Sequence, residues 1–240
     1  MAEKGLNELL KWSIENSAAP DPSAPESTDR PRTTLTAEAL AAIMGGPSDA
    51  DLMQASMAAI TSADPEVTLE SKLIAFDNLE QLVESLDNAN LLSKLGLWTP
   101  LLDLLAHEHD QLRLMAAWCV GTAVQNNAPT QERLVALGGV ERLVGMALGE
   151  RLPPAGKRAG DDDAATAGEG VAAGDGETKE VRRKAVYALS SAVRNYQPAL
   201  DVAAKELRKR GETVQEGVDA TDMDAVDQVI NSLKQKAMNA

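Results

Sequence analysis

The chain holds a single cysteine, two histidines and few rings: one Phe, two Tyr and three Trp among 240 residues. A lone Cys119 excludes an internal disulfide framework and suits a reducing compartment. There is no cysteine pair for zinc, no Gly-rich phosphate loop and no Gly-x-Ser-x-Gly elbow. With no nucleophile, base or metal constellation, the sequence offers no catalytic site and asks for no metal or cofactor. No apolar run approaches the roughly 20 residues that span a bilayer. Lys4, Glu8, Lys11 and Glu15 interrupt any secretory core at the N-terminus. The expectation is a cytoplasmic protein that does not use membranes. Positive charge is also scarce, 23 Lys and Arg against 37 Asp and Glu for a formal net charge of −14. Such a chain repels phosphate backbones, so nucleic acid is not an expected partner.

What is present is aliphatic. With 44% hydrophobic residues and so few rings, Leu, Ala, Val and Met must fill the core, which favours helix over sheet. A short apolar head carries Leu9, Leu10, Trp12 and Ile14, and Leu6, Leu9, Leu10 and Ile14 fit one helical face. A stretch with Pro20, Pro22, Pro25 and Pro31 follows, too polar to offset chain entropy and expected as a flexible tether.

Helical patterns begin near Thr36, break at Gly45-Gly46-Pro47 and resume after Ser48, which forms a capping box with Asp51. From Leu69 the positions Leu73, Phe76, Leu79, Val83 and Leu86 predict one helix of about five turns. Thr99-Pro100 reads as an N-cap with proline at the first helical position, ahead of a short buried helix. Leu112, Met115, Ala116, Cys119, Val120, Ala123 and Val124 mark the clearest helix, with Cys119 buried and inert on its apolar stripe. Near the C-terminus Val226, Val229, Ile230 and Leu233 give an amphipathic helix, with Asp222 and Asp224 in its first turn and Lys234 and Lys236 in its last.

An internal repeat sets the architecture. Arg113 to Asn126 aligns with Arg182 to Asn195: Arg, both Ala, Val and Asn coincide, Trp118 matches Tyr187, and Pro129 matches Pro198. The offset is 69 residues. Arg151 to Thr178 is Gly- and Ala-rich, acidic and aperiodic, and removing it as a disordered insertion leaves a period of about 42, inside the armadillo and HEAT range. Leu95-Gly96 and Leu137-Gly138 repeat at 42 independently. The predicted fold is all-α, an armadillo-like right-handed superhelix, or α-solenoid. Its segments are an apolar head (1–16), a linker (17–35), repeats (36–148), the acidic insertion (149–179), further repeats (180–210) and an acidic segment with a helix (211–240).

Several residues invite a functional reading. His107 and His109 with Glu108 and Asp110 fall where a turn between repeat helices is expected. Asp161-Asp162-Asp163, and Asp219, Asp222, Asp224 and Asp227, lack the spacing and turn glycine of a calcium loop. Trp118 and Tyr187 suit either packing between repeats or contact with a ligand. Amides recur at the ends of the long helices: Asn88, Ala89 and Asn90; Gln125, Asn126 and Asn127; Arg194 and Asn195. They either cap the helices or form a ladder along the inner curve for a protein partner. In the second reading, Ala89→Arg blocks the partner without loss of helicity.

Four pieces then resemble the fungal armadillo-type nucleotide exchange factors of the seventy-kilodalton heat-shock chaperone. They are Leu9 to Ile14, Gly45 to Ala50, Ala75 to Leu82 with Leu86 to Asn90, and Gly121 to Asn127; Tyr187 to Asn195 fits the next repeat. The resemblance implies a monomeric co-chaperone whose repeats embrace one lobe of the chaperone ATPase domain and promote ADP release. Asn88, Ala89, Asn90, Gln125, Asn126, Asn127, Arg194 and Asn195 would bind that domain. Leu9, Leu10, Trp12 and Ile14 would enter the chaperone's peptide-binding domain and help discharge the client. Two departures stand out: the regular pattern fades after about Arg210, and the insertion splits a repeat. An armadillo adaptor for extended peptides, without exchange activity, is the alternative, but it leaves the Trp-containing head without a use.

Overall fold

The computed structural model describes residues 46–153 and 176–239. The chain divides into two compact units, Met1–Ser48 and Asp49–Ala240, and every element below belongs to the second. The apolar head, the linker and Asp161-Asp162-Asp163 lie outside the described residues.

Helix α1 (Asp49–Ile60) begins directly after Ser48, where the capping pattern places a start. Helix α2 (Leu69–Val83) is capped by Thr68, whose hydroxyl accepts from the Ser71 N–H. It stops short of the five turns that its spacing predicts. Ser85 turns extended (φ −73°, ψ 128°), and Leu86, 56% exposed, opens helix α3 (Leu86–Lys94) instead. The cause is a side chain from the new helix: Asn88 Nδ2 donates to Leu82 O at 3.0 Å and to Asp49 Oδ2 at 2.8 Å. The Leu82 carbonyl also accepts the Ser85 N–H at 3.4 Å, so backbone and side chain close this helix end together.

Helix α4 (Trp98–Asp103) starts one residue before the predicted Thr99 cap. Trp98, 1% exposed, is drawn into the core. Pro100 sits in the first turn, where backbone N–H groups have no intrahelical acceptor to lose. A 3₁₀ turn at Leu104–Ala106 leads through His107 and His109 into helix α5 (Asp110–Ala123), so the histidines occupy the expected turn. Helices α6 (Ala128–Ala136), α7 (Gly139–Leu148), α8 (Lys179–Val193), α9 (Gln197–Lys209) and α10 (Met223–Met238) follow. Among the described residues the structure is all-helical.

The repeat is visible in the backbone. Gly96 and Gly138 both end a first helix at φ +69°, and Asn126 (φ 52°) and Asn195 (φ 57°) both follow a third helix. Glycine carries no Cβ penalty in this left-handed region, and Asn tolerates it better than most residues. Units α3-α4-α5 and α6-α7-α8 therefore repeat as three helices each, with α2 as the third helix of the unit before them. The fold is an armadillo-like α-solenoid.

Third helices α2, α5 and α8 stack side by side, the most extensive packing being α5 on α8. Gly121 makes that approach possible: a Cβ there would stand 2.6 Å from Tyr187 Cε1 and 3.0 Å from Ala188 Cα. A second device recurs at the fourth residue of each third helix. Lys72 Nζ donates to Ser62 O (2.7 Å), Arg113 Nη1 to His107 O and Glu108 O (2.8 Å each), and Arg182 Nε to Ala147 O (3.2 Å). Each cation bonds carbonyls at or just beyond the end of the preceding helix, where the dipole favours positive charge.

The stretch predicted as an aperiodic insertion ends in a buried residue. The Glu177 side chain is fully buried against Arg113, and its N–H donates to Gly149 O at 2.8 Å. Gly149 and Glu177 are thereby joined, and Lys179 opens α8. After Arg210 comes the C-terminal helix that the apolar spacing predicts. Helix α10 packs on α8 and buries Val226, Ile230, Leu233 and Ala237. Asp222 caps it by accepting from the N–H groups of Asp224 and Ala225.

Candidate functional site

The stacked third helices share an open groove of about 570 Å³. Glu80 and Glu84 come from α2, and Trp118 and Thr122 from α5. Gln125 and Asn126 lie just past the end of α5, Tyr187 is on α8, and Leu86 stands at the start of α3. The sequence builds this face by periodicity. Phe76, Leu79 and Val83, or Ala116, Cys119, Val120 and Ala123, face inward at helical spacing. The residues beside those stripes are left to line the groove.

A polar thread crosses the three helices. Thr122 Oγ1 donates to Glu80 Oε1 at 2.7 Å and lies 3.4 Å from the Tyr187 hydroxyl. Lys184 Nζ stands 3.3 Å from the centre of the Trp118 ring and 5.6 Å from that of Tyr187. Burial lowers the Lys184 pKa, against an opposing pull from Glu80. The ammonium is thus held on the electron-rich face of the indole, a cation–π contact that fixes the ring in the groove wall. Trp118 and Tyr187 therefore pack between repeats and line the groove as well; each is half-buried.

The predicted amide ladder divides. Gln125 and Asn126 are exposed on the groove. Asn88 is 7% exposed and committed to Leu82 and Asp49, so it caps α2. Ala89, at 1% exposure, packs in the core. It is not the surface position that the ladder assumed, and an arginine there would disturb packing before it touched a partner. Asn127 is 5% exposed, and Asn90 is half-buried. Each has a buried side-chain atom without a hydrogen-bond partner, Asn127 Nδ2 and Asn90 Oδ1. Arg194 pairs with Asp227 of α10 and donates to Ser190 Oγ at 3.1 Å, while Asn195 is exposed in its left-handed turn. The left-handed Asn126 and Asn195 terminate their helices, and of the two only Asn126 also borders the groove. Leu9, Leu10, Trp12 and Ile14 fall outside the described residues.

Cys119 is fully buried; desolvation first, and then the charge of Glu80, push its thiol well above the usual value. An inert core thiol is what this environment makes. Among the described residues no group of three His, Cys, Asp or Glu could hold a metal ion, and no helix is long and apolar enough to cross a membrane.

Glu80, Glu84 and Thr122 were not singled out by the sequence reading. Glu80 did leave a signal: it occupies a core position in the stripe Phe76, Leu79, Val83, where a carboxylate is out of place.

Compared with known proteins, residues 6–92 match the family model "Nucleotide exchange factor Fes1". A Gibberella zeae protein named Hsp70 nucleotide exchange factor FES1 is 56% identical over 239 residues, covering 98% of each chain. The chain belongs to the Fes1 family. A Neurospora crassa Hsp70 nucleotide exchange factor is 48% identical over 270 residues, covering 99% of this chain and all of its own. A Coccidioides immitis protein of the same name is 45% identical, over 96% of this chain and 97% of its own. The matched Fes1 segment ends at Leu92, so it takes in Asn88, Ala89 and Asn90 but neither α5 nor α8.

Proposed function

We propose that this protein is a nucleotide exchange factor and co-chaperone. It binds the ATPase domain of a seventy-kilodalton heat-shock chaperone, lowers that domain's affinity for ADP and performs no chemical step itself. The observation that carries the reading is end-to-end similarity, 98% of both chains, to a relative named for this activity. The solenoid suits the task physically. A stack of rigid third helices offers an extended face, and binding needs only to favour the opened lobes of the ATPase domain over the closed ones. A differential of roughly 3 kcal/mol moves that equilibrium about a hundredfold.

In this reading Gln125 and Asn126 are direct contacts on the groove, and Arg194 and Asn195 extend the same row. Asn88, Ala89, Asn90 and Asn127 act mainly by holding the helix ends that carry the contacts. The apolar head, Leu9, Leu10, Trp12 and Ile14, enters the chaperone's peptide-binding domain, and the tether of residues 17–35 raises its effective concentration there. The protein works as a cytoplasmic monomer.

Stopped-flow release of a fluorescent ADP analogue from the chaperone tests the proposal. Added protein accelerates release; an unchanged rate at saturation overturns it. Deleting residues 1–16 leaves that acceleration intact and slows client release.

A further inference from the structure

The groove is lined by two carboxylates, two aromatic rings and an amide pair, with no Lys, Arg or His among its walls. Glu80 is 7% exposed. Its neighbour Thr122 gives it one hydroxyl donor, and the Lys184 ammonium is near enough for Glu80 to raise its pKa without being among the ion pairs of the described residues. A buried carboxylate with one hydroxyl donor and no ion pair gains from a positive group that reaches it. Glu84 adds a second, exposed carboxylate at the mouth. The neighbouring indole holds the Lys184 ammonium 3.3 Å from its centre, so that ring face is already occupied, and attraction for a further cation comes from the carboxylates.

We propose that the groove between α2, α5 and α8 is a receptor for an arginine side chain projected by the protein partner. The guanidinium meets the carboxylates of Glu84 and Glu80 while its flat face lies beside Tyr187 and the side of Trp118 that Lys184 leaves open. Arginine fits better than lysine because a planar fork meets a carboxylate through two hydrogen bonds and stacks on rings at the same time. The site deepens the exchange-factor reading and, for the partner's identity, rests on it: the arginine is on the surface of the ATPase domain.

Two measurements on the full-length protein test this. The first needs no chaperone. Titration with N-acetyl-arginine amide, followed by the Trp118 indole N–H resonance (assigned with Trp118→Phe), should shift that resonance saturably. The neutral isostere N-acetyl-citrulline amide should not shift it, and Glu84→Gln should weaken the arginine response. An unmoved indole, or equal shifts with citrulline, overturns the site. The second compares exchange variants. Glu84→Gln should raise the concentration giving half-maximal ADP release by about tenfold, the effect of one charge-assisted hydrogen bond. Asp110→Asn, an exposed carboxylate outside the groove, should leave it unchanged. Exchange at wild-type concentrations by Glu84→Gln also overturns the proposal. A wild-type protein that fails to accelerate ADP release removes the exchange-factor reading instead, and the arginine titration then decides the site alone.

Discussion

Arg113 and Glu177, 64 residues apart in the chain, form a two-pronged ion pair with both side chains buried: Arg113 Nε lies 2.8 Å from Glu177 Oε1, and Nη2 lies 2.8 Å from Oε2. The remaining Arg113 nitrogen holds the turn before α5. One guanidinium thus fixes a repeat junction and the start of the segment that opens α8. Arg113→Ala leaves the Glu177 carboxylate buried and unpaired, and should cost about 3–5 kcal/mol in urea unfolding. A loss under about 1 kcal/mol would show that the junction does not depend on the pair.

Gly121→Ala is the second test. Helix propensity alone favours alanine by about 1 kcal/mol. The added methyl meets the Tyr187 ring at 2.6 Å and the Ala188 backbone at 3.0 Å, and overpacking of that kind costs about 1–3 kcal/mol. A net destabilisation is expected in thermal or urea unfolding, partly relieved in a Tyr187→Ala background. A stabilised single variant would show that α5 and α8 are not in tight contact.

Much of this packing was legible beforehand, because one-dimensional signals caused it. The alignment of Arg113 to Asn126 with Arg182 to Asn195 gave the repeat, and Leu95-Gly96 with Leu137-Gly138 gave its period, since identical local problems take identical residues. Element ends were harder. The apolar spacing around Val83 does not say that its helix stops there; the stop goes with Asn88 turning inward to Leu82 and to Asp49, 39 residues away. Glu177 looked like one more acidic residue in an acidic stretch, because its partner lies 64 residues earlier. The amides at helix ends had two roles available, and sequence could not separate Asn88, turned inward to cap α2, from Asn126, left on the groove. Only burial distinguishes them.

A pH dependence follows from the turn before α5. His107 is held below its ordinary value of 6.5, first by burial and then by the neighbouring His109. Its Nδ1 accepts the His109 N–H at 3.1 Å, which requires that nitrogen to be unprotonated. The unfolded chain therefore takes up this proton at higher pH than the folded one. Stability should rise as pH climbs toward and through 6.5, and the penalty is complete once pH falls below the folded value. Urea midpoints measured from about pH 5 to 8 should show this rise in the wild type and a shallower one in His107→Gln. Equal slopes would remove His107 as the source.

The central claim is that the third-helix face grips the opened ATPase domain of the chaperone and so expels ADP. Linkage makes this measurable without kinetics: whatever the protein does to ADP affinity, ADP must do equally to the protein's affinity. Calorimetric titration into the isolated ATPase domain should show binding to the nucleotide-free form about a hundredfold tighter than binding with saturating ADP. Equal affinities would contradict the account, because a ligand that binds both forms alike shifts neither.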